Sequence, residues 1–134
     1  GKKCEFLNTV VKELGLKGVT VINSRAEELG KDRKFREKYD YAIARAVAGM
    51  NVLSELCLPL VRISGKFVAF KGNAEEELNA AKSAIKTLGG KVKEVYSFDL
   101  PCGAGKREII EVEKVFSTDI KYPRQYAKIK KFPL

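Results

Sequence analysis

Apolar and polar residues alternate along this chain with two periods, one helical and one of two residues, and the switches between them mark its elements. "KKCEFLNTVVKELG" places Leu7, Val10, Val11 and Leu14 at i, i+3, i+4 and i+7, the stripe of an amphipathic helix, with Gly15 as its stop. "VTVI", residues 19–22, is a short β-branched run and reads as a buried strand. Ser24 and Glu27 have capping-box spacing and open a charged helical stretch through Lys38. "YAIA", residues 41–44, predicts a second strand. "NVLSELCLPLV" sets Leu53, Leu56, Cys57 and Leu60 on one helical face, with Pro59 bending or ending it. "GKFVAFKG" predicts a third strand and "NAEEELNAAKSAIKTLGG" a helix capped by Asn73, acidic at its start and closed by Gly89. The last two runs, "KVKEVYSFDL" and "REIIEVEKV", alternate around the loop "PCGAGK" and predict an antiparallel hairpin at a sheet edge. Helices alternating with strands predict an α/β fold, a mostly parallel sheet covered on both faces, ending in that hairpin.

The 134 residues suffice for one domain with a real core. No run approaches the ~18 uninterrupted apolar residues of a membrane span, so a membrane partner is not expected. Cys4, Cys57 and Cys102 are widely spaced, and there is no histidine, which argues against a zinc site or a disulfide framework and for a cytoplasmic setting. The net charge of +9 is uneven. "STDIKYPRQYAKIKKFPL", residues 117–134, holds five cations against Asp119 with Tyr122, Tyr126 and Phe132 between them. Such a tail suits nucleic acid, through phosphate neutralisation and base stacking, and suits equally a solvated terminus. Residues 1–116 are therefore read as the folded domain and 117–134 as a basic tail.

In an open α/β sheet, ligands bind outside the carboxyl ends of the parallel strands. Glu27 follows the first expected strand, Arg45 ends the second, Lys71 ends the third, and Arg107 opens an antiparallel strand whose beginning lies on the same rim. Each has a plainer reading: Glu27 as a helix cap, Arg45 in an ion pair with Asp40 or Glu55, Lys71 as a solvated strand end, Arg107 in a charged turn. "GAGKRE" mimics a phosphate-binding loop but lacks the first glycine and the Ser or Thr after the lysine, and a strand follows it instead of a helix. Nucleophilic triads with a histidine base are excluded.

"SRAEEL", "ARAVA" with "NVLSELCLPLV", "GKFVAFKG" with "AEEEL", "LGGKV", "KREIIEVEKV" and the late "YPR" and "FPL" occur in this order. Together they resemble the bacterial 16S ribosomal RNA guanine-N7 methyltransferases, the glucose-inhibited division protein B family, from Lys2 to Leu134. The resemblance implies a Rossmann-like class I methyltransferase that uses S-adenosylmethionine, releases S-adenosylhomocysteine and acts on 16S ribosomal RNA or the small ribosomal subunit. It implies cofactor contacts at Ala26, Glu27 and Arg45. Lys71 and Arg107 would face the reacting base as catalytic residues, and Lys71, Arg107 and Arg124 the RNA, with Lys128 joining them on the charge of the tail. Family members also carry a glycine-rich cofactor loop and two further strands that are absent here, so the chain reads as a truncated, C-terminal part. At ~4.8 Å per strand, the two missing strands would leave a gap beside 41–44. The strand at 19–22 is then expected to slide in, giving five strands, or two chains to exchange or edge-pair elements. The alternative function is a non-catalytic RNA-binding module.

Overall fold

The computed structural model describes all 134 residues. Its elements are α1 (Lys2–Glu13), α2 (Ala26–Leu29), β1 (Tyr39–Arg45), α3 (Met50–Cys57), β2 (Val61–Lys71), α4 (Glu75–Thr87), β3 (Gly90–Asp99), β4 (Lys106–Lys114) and α5 (Tyr126–Lys131). One mixed sheet has the order β1-β2-β4-β3. β1 and β2 are parallel, and β4 runs antiparallel to both β2 and β3. The α/β class and the C-terminal hairpin follow the alternation of residues, and Pro59 ends α3 in a 3-10 turn, Leu58–Leu60.

One face of the sheet is covered. Phe67 and Ala69 of β2 and Ile110 and Val112 of β4 point into a core with Met50 and Leu53 of α3 and Ala81 and Ile85 of α4. All of these are at most 2% exposed, and each large one contributes about 1.5–3 kcal/mol by leaving water. The other face is open, and Tyr41, Ile43, Phe70, Tyr96 and Phe98 remain exposed on it.

Besides this open face, where the alternation of helices and strands predicts cover on both, three expectations need correction. Residues 19–22 form no strand, so the five-stranded sheet does not arise and β1 is left as an edge. Val19 and Ile22 stay exposed there, because a lone extended segment has no ladder to satisfy its backbone. The helix expected from Ser24 to Lys38 shrinks to one turn. Asp32 caps the Lys34 amide, and the Arg36 guanidinium takes the Gly30 carbonyl, so the chain turns to Glu37 (φ +51°). Glu28 rather than Glu27 closes the cap, accepting from Ser24 Oγ at 2.8 Å and from the Arg25 amide at 3.4 Å. Finally, α1 forms as its stripe predicts but buries none of it.

The C-terminal segment packs back on the domain. Arg36 donates to the carbonyls of Thr118, Asp119 and Tyr122 as well as Gly30. Lys114, fully buried at the end of β4, donates to the Leu58 and Val61 carbonyls and lies 3.1 Å from Glu37. Glu37 in turn accepts the Thr118 amide. The turn that starts this segment is set by Gly89 (φ +86°), whose carbonyl receives both Val115 and Phe116 amides. A Cβ at Gly89 would overlap the Phe116 carbonyl, whereas Gly103, also at positive φ, faces open space. Gly89→Ala is therefore expected to cost about 1–3 kcal/mol, and Gly103→Ala clearly less, in urea unfolding. Equal midpoints for the two variants would contradict this packing.

Candidate functional site

The sheet register decides which side chains meet. Arg45, Phe70, Ile109 and Tyr96 lie in one row across the four strands, Lys71, Glu108 and Ser97 in the next, and Phe98 pairs with Arg107 beyond. Because side chains alternate between faces, the arginines and aromatic residues share the open face while Lys71 and Glu108 turn toward the helices. At this rim, where β1, β2 and β3 end and β4 begins, a cavity of about 490 Å³ is walled by Arg45, Phe70, Lys71, Phe98, Arg107 and Glu108 among others.

Within the cavity the cations divide into two kinds. Lys71 is committed: Nζ donates to the Ala48 carbonyl at 2.6 Å and pairs with Glu77 Oε2 at 2.8 Å. The same Glu77 oxygen accepts the Met50 amide at 3.2 Å, so one carboxylate links the end of β2 to the start of α3. These bonds fix the turn after β1, in which Ala46 has φ +51°, an unfavourable value for a residue with a Cβ. Arg45 and Arg107, by contrast, form no ion pair; the only hydrogen bond of the Arg107 guanidinium is to its neighbour's carbonyl, Lys106. The partners considered for Arg45 are engaged elsewhere, Asp40 with Arg62 and Glu55 with Arg124.

Glu108 is a residue that motif reading missed. Only 6% exposed, it accepts the Ala74 amide at 2.8 Å and Ser97 Oγ at 3.2 Å, with Lys106 Nζ at 3.1 Å. The Ala74 amide first, then the Lys106 ammonium, hold its carboxyl below the usual 4.5. Its signal was the period of two in "REIIEVEK", which puts Glu108 on the same face as Ile110 and Val112.

The remaining expected residues lie to one side. Ala26 and Arg45 line a second hollow of about 430 Å³, mostly apolar, along the free edge of β1. Glu27 is outside the rim cavity; it pairs with Arg25 at 3.7 Å and lines a groove with Lys31, Arg124 and Tyr126. The Arg124 fork is bidentate on the fully buried Glu55, with Nε–Oε1 at 2.8 Å and Nη2–Oε2 at 2.6 Å. The hydrogen bonds to Glu55 raise the Arg124 pKa above its ordinary value. Lys128 is exposed on α5. Arg45, Lys71 and Arg107 thus come together, while Glu27, Arg124 and Lys128 gather around α2 and α5.

A one-sided α/β sheet with a basic, aromatic cavity at its carboxyl rim is consistent with part of a Rossmann-like methyltransferase fold. Residues 1–110 match the GidB family, rRNA small subunit methyltransferase G, and the chain belongs to that family. Proteins called ribosomal RNA small subunit methyltransferase G match it along essentially its whole length. The one from Acetivibrio thermocellus is 46% identical over 133 residues, 99% of this chain and 55% of the relative. Those from Lactobacillus johnsonii and Staphylococcus epidermidis are 49% identical, over 100% and 99% of this chain and 56% of each relative. The chain spans a little over half the length of these curated relatives.

The acid behaviour of the rim follows from Glu108. Folding lowers its pKa, so its contribution to stability is complete above the unfolded value near 4.5 and disappears as pH falls through the lower folded value. Glu37 acts in the same direction: its burial raises the pKa, but the Thr118 amide and Lys114 more than offset that. Glu108→Gln should narrow the difference in melting temperature between about pH 6 and about pH 3.5. An unchanged difference would show that the carboxylate is not held as described.

Proposed function

We propose that this chain carries the acceptor side of an S-adenosylmethionine-dependent methyltransferase that modifies guanine N7 in 16S ribosomal RNA. The observation that supports this most directly is the pair of uncommitted arginines, Arg45 and Arg107, beside Phe70 and Phe98 in a rim cavity of a chain from this family. An unstacked guanine has a flat apolar face for such aromatic walls and an O6 acceptor and flanking phosphates for the guanidinium groups. Guanine N7 already has an exposed lone pair. Transfer therefore needs positioning rather than a general base, in keeping with a chain that has no histidine. A cation must sit near O6 or phosphate and not on N7, where it would occupy the attacking lone pair.

The residues present fit one side of the methyl donor. The hollow of Ala26, Leu29, Ala44 and Val47 offers an apolar wall to an adenine, and Arg45 lies on the border of that hollow and the rim cavity. Bound there, S-adenosylmethionine would supply a methyl group on sulfonium sulfur and depart as S-adenosylhomocysteine. Lys71, held by Ala48 and Glu77, serves by fixing the turn after Arg45, and Arg107 orients the base. The reading places the protein in the cytoplasm with ribosomal RNA or the small subunit as partner. The free edge of β1 is where the part of the relatives not represented here, or a second copy of this chain, would pair.

The span of just over half a relative favours a second reading, an RNA-binding module without transfer activity. Calorimetric titration with S-adenosylmethionine separates the two: one-site binding favours the first, and RNA affinity without cofactor affinity the second. The decisive experiment co-expresses this chain with the unmatched portion of the Acetivibrio thermocellus relative and measures labelled methyl incorporation into small-subunit RNA. Borohydride reduction followed by aniline cleavage then locates N7-methylguanine. Arg45→Ala and Arg107→Ala should each lower incorporation by at least about tenfold. Incorporation that leaves no aniline-sensitive site, or that ignores both substitutions, would overturn the proposal.

A further inference from the structure

Most of the net charge is confined to two short segments. Residues 31–38 contain five basic and two acidic side chains, and residues 118–134 five basic and one acidic, so these 25 residues carry seven of the nine net positive charges. Far apart in sequence, they are joined in space. The Arg36 guanidinium reaches from the first to three carbonyls of the second, at 2.6 Å for Tyr122, 2.7 Å for Thr118 and 3.1 Å for Asp119. Gly30 lies so close to Pro123 that a Cβ there would come within 2.8 Å of the proline ring. Lys31 lines one groove with Arg124, Gln125 and Tyr126.

The cations of the two segments have a clear division of labour. Arg36 and Arg124 are spent inward, on backbone carbonyls and on Glu55. Lys31, Arg33, Lys34, Lys121, Lys128 and Lys131 are exposed, and among them only Lys121 has an ion pair, a long one of 3.8 Å to Asp119. Asp32 is turned to the Lys34 amide. Like charges concentrated at this density repel, and the fold spends two arginines in holding them together. An anionic polymer with closely spaced charges relieves that repulsion by releasing its own counterions.

We propose that the 31–38 turn and the 118–134 segment form one composite surface for the phosphate backbone of RNA, adjoining the groove between α2 and α5, with Arg36 as the residue that positions one half against the other. The proposal rests on the RNA-modifying reading above and extends it to a turn that neither the rim nor the basic tail includes. Phosphate contact here would carry affinity and orientation without reading sequence, leaving selection of the base to the rim cavity.

The test is a salt titration of binding to a short fluorescent RNA hairpin, from about 50 to about 200 mM KCl, with the full chain. Replacing Arg33 and Lys34 together by Ala should weaken binding about tenfold at low salt and lower the log–log salt slope by about 1.5–2. Replacing Lys128 and Lys131 should do the same. Replacing Lys82 and Lys86, exposed on α4 and part of neither segment, should change neither. Arg36→Lys keeps the charge but loses the fork; with the circular dichroism spectrum intact, it should still lower the affinity. If the wild-type chain binds RNA and the Arg33/Lys34 variant keeps its affinity and slope, the composite surface is wrong while RNA recognition stands. If the wild-type chain shows no salt-sensitive RNA binding, the RNA reading itself fails, and the surface with it.

Discussion

Three cations turned inward hold this basic protein together. Arg36 lies in the turn before β1, Lys114 at the end of β4 and Arg124 just before α5, yet each ties the last third of the chain to the first two-thirds. Lys114 is the costliest: burial lowers its pKa, and two carbonyls and Glu37 compensate for the water it has lost. Arg124 and Glu55 show the same physics in its favourable form, a planar fork on a carboxylate with no exposed surface left. Because these links use charged groups in low-polarity surroundings, removing one partner strands the other. The C-terminal segment is therefore part of the domain's structure, and its outward lysines inherit fixed positions from its inward arginines.

The rim depends on a second constraint, the register of β2 against β4. The antiparallel pairing of Lys71 with Glu108 sets both polar side chains at the end of the helix-covered face, where the amino ends of α3 and α4 need acceptors and linkers. The adjacent row, Arg45 to Tyr96, is sent to the open face. A one-residue slip would exchange the two sets and bury the arginines. The same register thus separates groups that build the cavity from groups that remain free to meet a ligand.

Much of this was legible from the residues and some was not. Local pattern located α1, α3, α4 and all four strands, since their periods agree with the faces they present. The convergence of Arg45, Lys71 and Arg107 could be anticipated because a strand end is a topological position. What could not be read was the use of each charge. Lys71, Arg107 and Arg124 look alike as basic residues, but whether one is spent depends on Glu77 or Glu55, and nothing in their spacing announces those contacts. Residues 19–22 failed for a different reason: a β-branched run encodes a preference for extension, whereas a strand also needs a neighbour. The charged run after Ser24 has a helix-like composition, but Arg36 ties its Gly30 carbonyl to the carbonyls of Thr118, Asp119 and Tyr122 in a tertiary clamp.

The sheet order has a consequence for how the molecule breathes. β2 and β4 have ladders on both sides, and β4 also lies inside the hairpin, while β1 has a single neighbour and exposes Tyr41 and Ile43. Solvent should reach the backbone amides of β1 through local openings long before those of β4, which open only with the whole domain. The molecule therefore has a stiff spine and a loose flank, and Arg45 sits at the tip of the loose one.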